Sequence, residues 1–209
     1  MKDIFKRLPQ EKQDRVLQAF LAEFAHNDYE NASITSVVKE LGIAKGSVYQ
    51  YFGSKMELYR TLRDMVMEEK AGYEGGLVKD DFWDYWDYFN EVFTKRVRFE
   101  VERPLHADLL YRGSQDRSNE AVEKLVRGDF KQELAIFSEA IRVEQEEEMI
   151  TKDMEPGFIA LSITNHCAAL RGYLENESGS TESVFEDAEE QITSYIEQSI
   201  KQFKAAFSS

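Results

Sequence analysis

The chain has 209 residues, of which 42% are hydrophobic, and this is typical of a soluble globular protein of one or two domains. Its formal net charge of −14 argues at first against a nucleic-acid-binding protein, because neutralising phosphates requires Lys and Arg. No apolar run is long enough to span a membrane or to act as a secretion signal, so we expect a cytoplasmic protein with no membrane partner.

The charge is distributed unevenly along the sequence. Residues 1–63 contain ten Lys or Arg against eight Asp or Glu, a net of +2, which leaves −16 for the remainder of the chain. This asymmetry is consistent with a weakly basic end that faces DNA and an acidic body that DNA repels. A solvated acidic surface that aids solubility explains the acidic part equally well, so charge alone leaves both interpretations open.

Apolar residues recur at intervals of three and four through most of the chain, and no segment alternates as a strand does. We therefore predict an all-α fold of about nine helices. Breaks between helices are expected where glycine, proline or serine occurs, notably at residues 72–76, at Arg103-Pro104 and at Gly113-Ser114. The predicted helices cover residues 10–26, 34–41, 45–52, 55–70, 80–102, 105–111, 118–148, 156–176 and 182–206.

The most informative stretch runs from Ser33 to Leu58, SITSVVKELGIAKGSVYQYFGSKMEL. Ser33 is suited to cap a short helix, and Gly42 supplies the left-handed residue that ends it. A second short helix begins three residues later, with Val48 and Phe52 four residues apart on its packed face. Two short helices joined by a tight glycine turn are typical of a helix-turn-helix, in which the second helix enters the major groove of DNA.

The run AKGSVYQYFGSKMEL, which follows Gly42-Ile43, resembles the DNA-binding signature of the TetR (tetracycline repressor) family. Its last part has the spacing of a capping box, from Ser54 to Glu57, which predicts the start of the next helix. The sequence departs from the family at Ala44, where a capping Ser or Thr is common. The resemblance implies a three-helix DNA-binding domain over residues 1–54 and an effector-binding and dimerisation domain over residues 55–209.

The resemblance also implies roles for residues of the helix-turn-helix. Lys45, Gly46 and Tyr49 would approach base edges, Gly46 because a side chain would hold the backbone away from the groove. Gln50 is suited to pair with adenine through two hydrogen bonds. The residues implied to position the motif on phosphates are Ser33, Thr35, Ser47, Tyr51 and Lys55, with packing an equal alternative for Tyr51.

The helix predicted over residues 80–102 carries a stripe of aromatic side chains. Such a stripe is more often core than ligand site, yet the resemblance implies an effector cavity among the middle helices. Acidic residues beside the stripe would suit a lipophilic cation as the effector, although they also fit the solvent face of an amphipathic helix. An apolar acid or an acyl compound is the other possible effector. The candidate wall residues are Trp86, Phe89, Phe93, Leu109, Phe130, Leu134, Phe137, Asn165 and His166.

The last two predicted helices carry more apolar positions than one neighbouring helix would cover. In the family these helices pair with their mates, so the resemblance implies a homodimer on a palindromic operator of double-stranded DNA. We interpret the lone Cys167 as a small buried residue rather than a redox sensor. The candidate interface residues are Leu170, Ile192, Tyr195, Ile196, Ser199 and Phe203.

Catalytic and metal-binding motifs are absent from the sequence. Its three His are isolated, and no HExxH, GxSxG or Walker loop occurs. We therefore expect no enzymatic activity, no cofactor and no metal. The predicted function is a ligand-responsive DNA-binding transcriptional regulator, a repressor that a small lipophilic effector releases from its operator. The alternative is an all-helical small-molecule- or partner-binding module without DNA function.

Overall fold

The computed structural model describes residues 1–178 and 189–209, without the side chains of residues 74, 167, 168 and 170–178. In these residues it has no strand, apart from an isolated bridge between Ile150 and Ser208, so the predicted all-α fold is confirmed. The helices are α1 (Asp3–Lys6), α2 (Gln10–His26), α3 (Ile34–Leu41), α4 (Lys45–Phe52), α5 (Lys55–Glu74), α6 (Tyr85–Glu102), α7 (Pro104–Gln115), α8 (Glu120–Glu146), α9 (Pro156–Ser178) and α10 (Glu189–Phe207).

Helices α2, α3 and α4 have the predicted bounds, and the other helices differ from prediction mainly at their ends. α6 begins at Tyr85 because residues 79–81 form a short 3-10 turn, which leaves Phe82 outside the helix. The break predicted at Gly113-Ser114 is wrong, since α7 continues through Gly113 to Gln115. α1 was not predicted, because four residues are too few to display a helical period. Residues 182–188 of the last predicted helix lie outside the described residues.

One compact unit of the chain comprises residues 1–71 and 103–127. Its core contains Phe20, Leu58, Leu62 and Leu109, all essentially inaccessible to water, so α7 contributes to the same core as α2 and α5. Burial of such side chains supplies most of the stabilisation of a small helical unit. Two separate stretches of sequence therefore build this unit.

The second compact unit comprises residues 72–102 and 128–209, as far as they are described. Aromatic rings of α6 pack against α9 and α10 in one apolar cluster. Phe93 is fully buried, with its ring centroid 5.6 Å from that of Phe203. The domain boundary expected from the sequence, between residues 54 and 55, stays a prediction.

Candidate functional site

The turn between α3 and α4 is built as the sequence indicates. The Ser36 N–H donates to Ser33 Oγ over 3.2 Å, which caps the start of α3. At its other end Gly42 adopts φ 67° and ψ 30°, and the Ile43 N–H donates to the Val38 carbonyl over 3.0 Å. This Schellman arrangement requires a left-handed residue, and glycine takes that conformation without steric cost. The two helices are thus held in a fixed helix-turn-helix.

The side of α4 away from the core carries the predicted base-contacting residues. Val48 and Phe52 are buried, whereas Lys45, Gly46 and Gln50 are exposed. Tyr49 is 41% exposed although it is a large aromatic residue. A side chain added at position 46 would meet nothing within 4 Å in the chain itself, so the fold does not require glycine there.

Of the residues predicted to meet phosphates, Ser47 lies in α4 and Thr35 contacts this helix. The Lys45 ammonium donates to Thr35 Oγ1 over 3.1 Å, which holds it beside the start of α3. Ser47 and Ser33 are half-buried, and Thr35 is exposed. The residue before α4 is Ala44, whose methyl side chain cannot accept a hydrogen bond. The start of α4 therefore has no side-chain cap, as expected from the sequence.

Tyr51 and Lys55 are engaged within the protein. Tyr51 is 8% exposed, and its ring centroid is 5.3 Å from that of Phe5. Lys55 is half-buried, donates to the Glu30 carbonyl over 3.3 Å and lies 4.7 Å above the centre of the Tyr29 ring. Burial lowers the pKa of the Lys55 ammonium. Both residues therefore have a packing role, in addition to any contact with phosphate.

Residues that the sequence analysis missed lie before α2. The backbone N–H of Lys2 donates to the Tyr51 carbonyl over 2.9 Å, and the Lys2 ammonium donates to the Tyr49 carbonyl over 3.4 Å. Phe5 is fully buried against Tyr51 and Phe52. The apolar pair Ile4-Phe5 between charged residues in KDIFKR was the available signal, but no periodic pattern accompanied it.

A second feature is the junction between the loop at residues 27–33 and the loop after α7. The Tyr29 N–H donates to Asp116 over 2.7 Å, and the Glu30 N–H donates to Ser118 over 3.3 Å. Asp116 is only 3% exposed. Desolvation alone would raise its pKa, but hydrogen bonds from Ser118 and Tyr29 outweigh it and lower the pKa. The loop that precedes α3 is thereby held by a buried carboxylate. We call residues 116–119 the clamp loop.

Most residues predicted for an effector cavity are packed rather than grouped around a space. Trp86, Phe89 and Phe93 belong to the buried aromatic cluster, with neighbouring ring centroids 5.8 and 6.2 Å apart. Leu134 and Phe137 pack partly buried against that cluster. Two further candidates, Phe130 and Asn165, are exposed, and Leu109 belongs to the core of the other unit.

His166 is the predicted wall residue that does line a described cavity. That cavity, of about 420 Å³, is otherwise lined by polar residues of α10. Ser199 Oγ donates to the Tyr195 carbonyl over 2.6 Å, so the bond of 2.8 Å between His166 Nε2 and Ser199 Oγ is donated by the imidazole. Burial lowers the pKa of His166, which favours this neutral ring. The Tyr195 hydroxyl donates to the His166 carbonyl over 2.9 Å.

Four of the six predicted dimer residues need a correction, whereas Tyr195 is half-buried and stays a predicted interface residue. Ile192, Ile196, Ser199 and Phe203 are all at most 7% exposed within a single protomer, because α10 turns these side chains towards α6 and α9. They therefore offer no surface to a second copy. Leu170 and Cys167 lie outside the residues whose side chains are described.

The described part of the chain lacks two kinds of feature. It contains no group of three His, Cys, Asp or Glu arranged to hold a metal ion. None of its helices combines the length and apolar character needed to cross a membrane.

Comparisons with known proteins agree with this geometry. Residues 16–62 match the sequence model of the bacterial regulatory proteins of the tetR family. The uncharacterized HTH-type transcriptional regulator YvdT of Bacillus subtilis (strain 168) is 30% identical over 78 residues, 36% of this chain and 40% of the relative. The chain thus aligns with less than half the length of this curated relative.

Solved structures share the fold over nearly the whole chain. A TetR family transcriptional regulator from Chloroflexus aurantiacus J-10-FL superposes with a TM-score of 0.79 at 23% identity, covering 99% of this chain and 97% of that one. The ketosteroid transcriptional regulator KstR2 of Mycobacterium tuberculosis gives a TM-score of 0.68 at 14% identity, with 97% of both chains covered. The fatty acid degradation regulator FadR from Bacillus halodurans gives 0.70 at 14%, with 91% and 97% covered.

Proposed function

We propose that this chain, whose residues 16–62 match the tetR family of bacterial regulatory proteins, binds operator DNA as a homodimer and represses transcription until a small molecule releases it. The observation that carries the proposal is the exposed face of α4, which lies in a rigid helix-turn-helix of the kind that enters a major groove. The charge distribution supports it, since residues 1–63 have a net charge of +2 in a chain of −14.

In the proposed complex Lys45, Gly46, Tyr49 and Gln50 meet base edges, and Gln50 pairs with adenine. The open space around Gly46 supports this role, because the chain itself gives no reason to exclude a side chain there. Phosphates are contacted by Ser33, Thr35, Ser47, Tyr51 and Lys55. In this complex the Lys55 ammonium, which donates to the Glu30 carbonyl in the free protein, donates to a phosphate oxygen as well.

For the homodimer we propose a face of α9 instead of the buried positions on α10. Phe158, Ser162, Asn165 and Ala169 are spaced four, three and four residues apart, which puts them on one face of the helix. Phe158 is 58% exposed, and Asn165 and Ala169 are also exposed. Two copies joined through this face would carry two recognition helices, one for each half-site of a palindromic operator. We call these four residues the α9 stripe.

The effector we propose is small and lipophilic, and it binds in the C-terminal part of the chain. Two proteins with this fold, a ketosteroid transcriptional regulator and a fatty acid degradation regulator, support an apolar ligand class. Its binding would tilt α5 and change the separation of the two recognition helices. The dimer could then no longer occupy both half-sites at once, and affinity for DNA would fall.

The test is binding to a duplex containing the DNA upstream of the protein's own gene, measured by fluorescence anisotropy at increasing salt. Wild type should bind selectively over a scrambled duplex, and Lys45→Ala should weaken binding and reduce the slope of log K against log salt by about 1 if Lys45 also meets a phosphate. Lys152→Ala makes the same charge change at an exposed residue of the second unit and should leave binding unchanged. Absence of selective binding by wild type would favour the binding module without DNA function.

A further inference from the structure

The first seven residues pack against α4, the proposed recognition helix, through the side chain of Phe5. α1 has only four residues, and a helix of that length is not stable alone in water. Phe5 is fully buried, with its ring centroid 5.3 Å from that of Tyr51 and 4.9 Å from that of Phe52. Tyr51 and Phe52 belong to α4, so this segment packs directly on the helix proposed to read DNA. We call residues 1–7 the N-terminal segment.

Backbone and side-chain bonds then fix the position of Lys2. Its N–H donates to the Tyr51 carbonyl over 2.9 Å. Its ammonium reaches the Tyr49 carbonyl at 3.4 Å, near the upper limit for a hydrogen bond, in an exposed position. The positive charge thus lies at the C-terminal end of α4, beside a residue whose side chain is proposed to meet bases. A weak, exposed bond of this kind is easily exchanged for a stronger one with an anion.

The segment also has the charge that a phosphate contact requires. Lys2, Lys6 and Arg7 are exposed and are opposed in the segment only by Asp3. α4 itself contains a single basic residue, Lys45, and the nearby Lys55 is half-buried with its ammonium bonded to Glu30. Since nonspecific affinity for DNA comes mainly from neutralised phosphates, α4 alone is poorly supplied with cations.

We propose that the N-terminal segment is part of the DNA interface and that Lys2 contacts a backbone phosphate beside the half-site read by α4. Phe5 acts as the positioning residue, because it holds Lys2 at the end of the recognition helix. The inference rests on the proposed DNA binding and adds to it a contact that lies outside residues 16–62, where the family model matches.

The experiment uses the full-length protein and the same upstream duplex at several salt concentrations. Lys2→Ala should weaken binding severalfold and reduce the salt slope by about 1, while Lys2→Arg should restore most of both. Phe5→Ala removes no charge but should reproduce the loss in slope, and the double variant should be no weaker than Phe5→Ala alone. Circular dichroism melts test whether Phe5→Ala is folded, and the exposed Lys2 variants remain informative if it is not.

The outcomes separate this inference from the proposed function. If wild type binds and Lys45→Ala weakens binding, but Lys2→Ala changes neither affinity nor slope, the role of Lys2 is disproved and the repressor proposal stands. If wild type shows no selective binding, both proposals fail together. A loss of affinity in Lys2→Ala with an unchanged slope also contradicts the phosphate contact, because a lost ionic contact must change the salt dependence.

Discussion

Gly113 illustrates how close packing determines the identity of a single residue. It lies within α7, where the sequence suggested a break. A Cβ at this position would come within 2.6 Å of Tyr59 Oη and 2.7 Å of Arg63 Nη1, and both of these side chains are buried. The glycine is therefore explained by the approach of α5 and not by a turn. Sequence alone does not distinguish these two uses of glycine.

We expect Gly113→Ala to lower the free energy of unfolding by about 1–3 kcal/mol, because buried neighbours would have to move. Gly128→Ala is the matched control: Gly128 is also helical, but an added Cβ would meet nothing within 4 Å. That change should stabilise the protein by about 0.4–1 kcal/mol. Chemical denaturation of both variants measures the difference, and equal effects would contradict the packing explanation.

Among the candidate site residues, exposure could be predicted for those on the side of α4 away from the core. Lys45, Tyr49 and Gln50 follow from local spacing, since Val48 and Phe52 fix which face is buried. The surroundings of Tyr51 and Lys55 depend on Phe5 and on Glu30, which are distant in sequence. Periodicity does not report such contacts.

At the scale of elements, the clamp loop couples α7 to the loop that enters the helix-turn-helix. Asp116 accepts the Tyr29 N–H and the Ser118 N–H, each over 2.7 Å. We expect Asp116→Asn to destabilise the protein by about 1.5–3 kcal/mol, because hydrogen bonds to a charged acceptor are lost. Asp64→Asn makes the same change at an exposed position of α5 and should have little effect. Thermal or urea unfolding tests the pair.

The clamp loop also predicts a dependence of stability on pH. The pKa of Asp116 is lower in the folded protein than its ordinary value, so the unfolded chain takes up its proton first as the pH falls. The stabilisation is complete above the unfolded pKa of about 3.9 and is lost as the pH falls through the lower, folded pKa. Unfolding measured between pH 7 and pH 3 should therefore show a smaller loss of stability for Asp116→Asn than for wild type. Parallel curves would contradict this assignment.

Helix ends were predicted correctly where a capping or terminating residue marks them in the sequence. α3 ends at Gly42 and α5 begins after Ser54, whose Oγ accepts the Glu57 N–H over 3.1 Å, and both ends were predicted. The start of α6 was not, because Phe82 continues the aromatic spacing although the chain there forms a 3-10 turn. Local signals thus fix helix ends, whereas an apolar pattern alone does not.

At the scale of the molecule, the homodimer is the part of the proposal most open to a direct test. Asn165→Arg would put two positive charges at a twofold-related contact on the α9 stripe, and we expect it to dissociate the dimer. Asn90→Arg changes an exposed Asn on α6 in the same way and should leave the dimer intact. Sedimentation velocity distinguishes the two, and a dimeric Asn165→Arg protein would exclude this face as the interface.

The first compact unit is discontinuous in sequence, since it needs residues 103–127 as well as residues 1–71. During synthesis on the ribosome it is complete only after residue 127 has emerged, so residues 72–102 are made before this unit has its whole core. The same fact sets the limits for engineering: a fragment ending near residue 62, where the family model stops, would lack Leu109 and the clamp loop. An attempt to change the proposed DNA specificity should therefore start from substitutions on α4, not from grafting an N-terminal fragment.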